Sequence, residues 1–357
     1  MSEAMNLEQI YQKLRQDQRI SSEEGLFLLR KAPWLEIAQL ANEKRARLVG
    51  SEVASYTVFP IVNYTNVCTI DCSFCSFKKD VGDKKAYVLD KDSVFAKIAY
   101  AQTRGADQIF LQGGVHPGLP VEYYTTLMRD IKSRFDVHIR GFSPVELKHI
   151  ADQEQVEVSE VIRAFKAAGL DSVPGAGAEI LVERVRKILA PKKCTTQEWA
   201  DIMKECHRQG LFGSANIVFG SVETDEEIFE HLQLIRDIQD ETKGFNTFIP
   251  WTFQAQTKDF LVKKIAPHLY LKILGLCRLF LDNIQNIEVS VMVLGKDIGK
   301  LALHMGANDI SSPVIEENVL RSYGVKSEEE SQKLITEAGF KPLRRDFNYS
   351  TFQEVVS

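Results

Sequence analysis

The chain has 357 residues, 44% hydrophobic and 26% charged, with 44 Lys and Arg against 49 Asp and Glu. That length suffices for one large α/β barrel or two medium domains around a deep core. A net charge of −5 leaves no basic field to hold a polyanion, which argues against nucleic acid as a partner. No apolar run approaches the ~18 residues that span a bilayer. The polar stretch Met1–Arg19 lacks the apolar core of a secretory signal, so a cytoplasmic protein with no membrane partner is expected.

Residues 1–52 read as polar, amphipathic helices. Ser21-Ser22-Glu23-Glu24 ahead of Leu26-Phe27-Leu28-Leu29 marks a helix start. No Pro/Gly/Ser linker follows, so this segment is expected to pack on the main domain. From residue 57 a short apolar, β-branched run followed by a longer amphipathic stretch recurs. Strands are predicted at 57–62, 108–112, 137–142, 171–173, 213–219, 245–249, 287–293 and near 307–310. Helices are predicted at 93–102, 120–135, 158–168, 195–209, 225–239, 269–284 and 298–305. This alternation predicts parallel strands with crossover helices, an α/β fold of the (β/α)8 TIM-barrel type. The expected division is an N-terminal helical extension (1–52), a barrel core (53–290) and a C-terminal extension completing the barrel (291–357). Reactive residues then belong at the C-terminal ends of the strands.

Of six cysteines, Cys68, Cys72 and Cys75 fall within eight residues, just after the first predicted strand. A cytosolic chain of this size has no need of disulfides. Three thiolates spaced C-x3-C-x2-C can converge on one soft metal centre. A structural zinc takes four ligands, typically from two separated pairs, and this loop holds neither a second pair nor a His. A [4Fe–4S] cluster usually takes four cysteines; three would leave one iron open to bind a small molecule. Zinc completed by a distant His such as His116, or three unrelated thiols, stay open as alternatives at this point. Cys194, Cys206 and Cys277 read as helix-packing residues, and His138, His149 and His207 as structural or exposed. Lys78-Lys79-Asp80 and Glu328-Glu329-Glu330 read as solvated charge runs.

The spacing, with Phe74 just before the third cysteine, resembles the radical S-adenosylmethionine (SAM) superfamily. The resemblance implies a [4Fe–4S] cluster on Cys68, Cys72 and Cys75, with SAM on the fourth iron and Phe74 beside its adenine. Reductive cleavage of SAM would then give methionine and a 5′-deoxyadenosyl radical. Gln112-Gly113-Gly114 follows the second strand, where the superfamily meets the SAM amino group. The sequence runs on as Val115-His116, without the usual acid, and a lone Gly-Gly reads equally as a turn. Val218-Phe219-Gly220-Ser221-Val222-Glu223 is similar to the superfamily's adenine-contacting segment, in which Gly220 permits close approach. The alternative is a strand end with Glu223 capping the next helix. Glu179, with Arg184 or Arg186, is a candidate for the ribose hydroxyls and carboxylate of SAM, against a helix-surface ion pair for the arginines. Glu146 joins the candidate cofactor contacts, against a plain role in a capping box begun at Ser143.

The resemblance spans nearly the whole chain and is strongest to the menaquinone and deazaflavin branch. It rests on Asn63–Cys68, Ala86–Leu89, Leu111–Gly114, Ala168–Leu181, Val185–Cys194, Phe248–Gln254, Arg278–Ile284, Gly306–Asp309 and Ile315–Val319. Within that branch the stretches look most like the cyclic dehypoxanthinyl futalosine synthases, siblings of the aminofutalosine and deazaflavin synthases. This implies a nucleoside-derived small-molecule substrate, cyclised after hydrogen abstraction from its ribose, and an external one-electron donor such as flavodoxin or ferredoxin. Departures fall at strand ends. Ser221 stands where those enzymes carry His, Arg140-Gly141 replaces His-Ala, and Ala255-Gln256 replaces Pro-Gly. Val291 stands where Trp is common, and Ile310–Pro313 replaces a Gly-Ser/Thr-rich turn. Arg140 and Ser221 are therefore the expected substrate-side catalytic residues, Arg140 as partner of a substrate carboxylate.

Overall fold

The computed structural model describes residues 6–254, 256–257, 260–291, 295–315 and 327–354. Ala255, positions 292–293 of the seventh predicted strand and positions 316–319 of one matched stretch lie outside them. Eight parallel strands form the barrel: β1 (Val53–Val62), β2 (Gln108–Leu111), β3 (His138–Gly141), β4 (Val173–Pro174), β5 (Gly213–Phe219), β6 (Phe245–Thr252), β9 (Asn286–Ser290) and β10 (Asp309–Ile315). Between β6 and β9 lies a short hairpin, β7 (Gln256–Thr257) and β8 (Phe260–Leu261). Neighbours in the ring pair in chain order, and β10 returns to β1 through the register Ser55 to Asp309. The seam between β3 and β4 is held by a single bridge, Arg140 to Ser172. The predicted barrel is thus the observed fold, although β4 is two residues long where three were expected.

Alternation decides which side chains face the lumen. On β5, Ala215, Ile217 and Phe219 are buried against the surrounding helices, so Ser214, Asn216 and Val218 point inward. On β9, Ile287 and Val289 pack outward while Glu288 and Ser290 face in. The helices begin where local chemistry dictates. Ser143 and Glu146 form a reciprocal capping box ahead of the helix Pro144–Glu154, as do Thr195 with Glu198 and Thr224 with Glu227 on the helices 196–208 and 225–242. Ser21 and Glu24 do the same for the helix Ser22–Lys31. The N-terminal helices pack on the barrel as expected: Arg45 donates to the Ala307 carbonyl at 2.9 Å, and Gly25 faces the Phe229 ring.

The predicted helix spans leave out Pro144–Glu154 and 183–189, although the capping box at Ser143 and the helix-surface alternative for Arg184 and Arg186 implied them, and they also leave out the C-terminal elements. Glu328–Glu330 are not a free charge run. They form the first turn of a helix capped by Ser327, where acidic side chains complement the helix dipole. After it, β11 (Lys341–Arg345) pairs with the lower half of β1, on the side that β2 occupies higher up, and β12 (Phe352–Glu354) covers its edge. The chain past β11 closes the N-terminal end of the barrel. Phe347 stacks on His138 at 4.4 Å, and the Arg345 guanidinium reaches Asp309 at 2.5 and 2.8 Å and Glu288 at 3.4 Å. Among the described residues no helix is long and apolar enough to cross a membrane.

Candidate active site

The cysteine loop leaves the C-terminal end of β1 and is pinned from three sides. On one side Ala86–Leu89 runs beside Tyr64–Asn66: the Leu89 amide donates to Tyr64 O (2.8 Å) and Thr65 Oγ1 to Tyr87 O (2.6 Å). On the second, the Thr69 amide donates to Val115 O, and the Gly114 amide to Thr65 O. On the third, the Ser73 amide and hydroxyl both donate to Leu189 O, at 2.9 and 3.1 Å. A loop this tethered fixes three free thiols before any ligand arrives. Cys68 and Cys72 are partly buried and Cys75 is exposed. Burial pushes the Cys72 thiol up to about 12 and raises that of Cys68, so deprotonation asks for a compensating positive centre.

Gly113 and Gly114 lie directly under this loop. A Cβ on Gly113 would strike the Tyr64 ring; one on Gly114 would fall onto Val67 O and within 3.0 Å of Cys68 Cβ. Only glycine permits that approach. Glu146 is buried and joins the parts. Its carboxylate accepts from Tyr64 Oη (2.9 Å), the Gly113 amide (3.4 Å) and both Ser143 donors (2.8 Å). Burial raises its pKa, and these bonds oppose the rise. Glu146 therefore holds the Gly-Gly turn, and the capping-box alternative is present as well. Across the mouth, Gly220 takes the left-handed φ of 93° that favours glycine. Glu223 braces that turn, accepting from the Gly220 and Ser221 amides and from Ser221 Oγ at 2.7 Å. The expectation that Glu223 caps the next helix is corrected, since the cap is Thr224.

The residues fit an iron–sulfur cluster better than a single ion. Among the described residues no three His, Cys, Asp or Glu side chains converge on one ion; a cubane sends each thiolate to its own iron. His116 turns back on its own loop, its Nδ1 accepting from the Gly118 amide at 3.0 Å, and joins no group of three metal-binding side chains among the described residues, against the zinc alternative.

Comparison with known proteins agrees. Residues 62–235 match the Radical SAM superfamily, and residues 242–357 the CofH/MqnC C-terminal region. The chain is 38% identical to the cyclic dehypoxanthine futalosine synthase of Halalkalibacterium halodurans, over 98% of this chain and 97% of that one. The chain belongs to the radical SAM superfamily. It is 40% identical to the enzyme of the same name from Streptomyces coelicolor, over 98% and 90%. It is also 35% identical, over 93% and 96%, to the 5-amino-6-(D-ribitylamino)uracil–L-tyrosine 4-hydroxyphenyl transferase of Methanococcoides burtonii. In structure it is similar to the FeFe-hydrogenase maturase HydG of Carboxydothermus hydrogenoformans, with a TM-score of 0.75 at 17% identity, covering 96% of this chain and 81% of that one. As a radical SAM enzyme it uses a [4Fe–4S] cluster and SAM.

The remaining predicted residues of this radical SAM site divide. Gln112 and Val218 are partly exposed at strand ends facing the mouth, and Phe74 meets Phe253 edge-on at 5.0 Å. Arg184 and Arg186 are corrections. Arg184 grips Glu227 (2.7 and 2.5 Å) and Val222 O (2.7 Å), while Arg186 donates to Gly177 O (3.0 Å), Ala178 O (3.1 Å) and Cys194 O. Both guanidinium groups brace loops instead of facing the mouth. Glu179, held at a φ of 42°, pairs with Lys193 at 2.8 Å. Lys193 is the residue that sequence reasoning missed. It lies buried beside Phe74 and Cys72, within the matched stretch Val185–Cys194, and nothing in a Lys-Lys-Cys run distinguishes an inward lysine from an outward one.

Ser221 sits at the mouth with its hydroxyl given to Glu223. Arg140 lies deeper, in the lumen. It donates to Ser214 Oγ at 2.6 Å and lies over the Phe110 and Phe347 rings, while its Nε has no partner among the described residues. Burial depresses its pKa to about 10, so it stays charged at neutral pH. Val291 does not line the pocket: it is fully buried and faces Gly299 of the outer helix 296–303. The expectation that Val291 marks a change at a strand end facing the substrate is therefore withdrawn.

Proposed function

We propose that this radical SAM enzyme cyclises dehypoxanthinyl futalosine to cyclic dehypoxanthinyl futalosine, in the futalosine route to menaquinone. The observation that carries this reading is 38–40% identity to two synthases of that name across almost the full length of every chain compared. Cys68, Cys72 and Cys75 would hold the cluster, which when reduced supplies the electron that cleaves SAM. The chain's own residues do the rest. The tethered loop presents three thiols at fixed positions. Gly113 and Gly114 keep the floor under them flat, and Gly220 opens the opposite wall for the adenine. The Arg140 guanidinium, charged and with Nε unpartnered among the described residues, would take the carboxylate of a substrate that reaches down the lumen toward Phe347. An external flavodoxin or ferredoxin would deliver the electron at the exposed Cys75 side.

With reconstituted enzyme, SAM and dithionite, dehypoxanthinyl futalosine should yield a product two hydrogens lighter by mass spectrometry. Arg140→Ala should raise KM ten- to a hundredfold, equivalent to about 1.5–3 kcal/mol for a charge-assisted bond, while SAM cleavage without substrate persists. An unchanged KM would remove Arg140 from the substrate site.

A further inference from the structure

Lys193 brings a cation into the wall beside the cysteine loop. Its side chain is 8% exposed and that of its partner Glu179 14%. Its ammonium makes the 2.8 Å pair with Glu179 and lies 5.5 Å from the Phe74 ring centre. An ammonium has three donors, and the described hydrogen bonds of Nζ go to Glu179 alone. Among the described contacts Glu179 is the one carboxylate that balances its charge. A lysine serving only stability would snorkel to water. This one is fixed by Glu179 beside Phe74, the aromatic residue between the second and third cysteines.

A cluster on three thiolates is anionic and gains one further negative charge on reduction. A fixed cation beside one ligand favours the reduced form, and a carboxylate next to that cation opposes it. We infer that Lys193 is an electrostatic positioning residue that raises the reduction potential of the cluster, with Glu179 holding it in place and moderating the effect. This rests on the assignment of the cluster to Cys68, Cys72 and Cys75, and not on the identity of the substrate.

The test is a spectroscopically monitored redox titration of the reconstituted, SAM-free protein and of Lys193→Met, Lys193→Arg and Glu179→Gln, each with its iron counted. Lys193→Met should make one-electron reduction at least about tenfold less favourable, a shift of ~59 mV to more negative potential. Lys193→Arg should stay near wild type, and Glu179→Gln should move to more positive potential. A purely structural lysine predicts neither sign. Full iron content with an unmoved potential in Lys193→Met overturns the inference, as does a loss of SAM affinity at unchanged potential, which makes Lys193 a SAM contact only. If Lys193→Met fails to hold iron, the Lys193→Arg and Glu179→Gln pair decides, and wild-type potentials in both overturn it. A failed ligand assignment looks different: Cys72→Ala would then keep its cluster.

Discussion

The two ends of the barrel each bury a cation, and they treat it differently. At the closed N-terminal end, Arg345 meets Asp309 and Glu288, and Ser55 Oγ donates to Asp309 at 2.5 Å. At the C-terminal mouth, Lys193 has one carboxylate, an aromatic face and a cysteine that burial keeps protonated. The first arrangement is complete within the protein. The second gains its missing negative charge only when thiolates and cofactor are present. Buried ion pairs seldom add net stability over apolar packing, so the completeness of the floor points to a structural role and the incompleteness of the mouth to a ligand.

The sharpest way to break this contrast is at the mouth. Cys72→Ala should lose the cluster and all reductive SAM cleavage, while circular dichroism and melting stay near wild type, because no packing depends on an occupied loop. Retained SAM cleavage would break it. Asp309→Asn should do the reverse at the floor. It leaves the more distant Glu288 as the carboxylate paired with Arg345, beside the Asp346 carbonyl and the Tyr349 ring, and removing one partner of a buried pair costs about 3–5 kcal/mol. Denaturant unfolding should show that loss, with iron content and SAM binding intact in the folded fraction; an unchanged midpoint would show the floor pair to be dispensable. Gly220→Ala is smaller. Its Cβ would lie 2.5 Å from Ile265 Cγ1 at a φ that L residues avoid, costing about 1–3 kcal/mol of strain. Calorimetry should show weaker SAM binding at full iron content, and unaltered affinity would place adenine elsewhere.

The smallest effect is in pH. His138, stacked under Phe347, is kept neutral, with burial holding its pKa at about 4 even though nearby Asp171 opposes this. Between pH 6.5 and 4 the unfolded chain takes up a proton that the native state refuses, so stability is full above 6.5 and falls below it. The expected loss is about 1 kcal/mol by pH 5.5 from this group. The stability gap between wild type and His138→Phe, which includes the lost bond to Ser172 Oγ, should be constant above pH 6.5 and shift in favour of His138→Phe by pH 5 in melting curves. Parallel profiles would remove His138 from the acid response.

How far the sequence could be read follows the same division. The strands were legible because their outward faces are apolar on both sides of a polar lumen position, as in Ala215, Ile217 and Phe219 around Asn216. The cysteine spacing and the glycines at 113, 114 and 220 were legible because local geometry permits few other residues. What the sequence hid depends on long-range placement. Arg184 and Arg186 looked like cofactor ligands by proximity to a glycine loop, but their acceptors are carbonyls and a carboxylate up to 43 residues away. Val291 looked like a pocket residue because it lies near a strand end, yet alternation turns it toward Gly299. Arg345 sits in an ordinary basic run, and only the return of β11 beside β1 carries it under the barrel.

The central claim is the substrate, and one side-by-side assay tests it most directly. The same reconstituted preparation, with SAM and dithionite, would be offered dehypoxanthinyl futalosine in one vessel and 5-amino-6-(D-ribitylamino)uracil with tyrosine in another. Conversion of the first to a product two hydrogens lighter, with the second untouched, is the predicted result. Turnover of the uracil and tyrosine pair alone, by an enzyme that cleaves SAM, would contradict it.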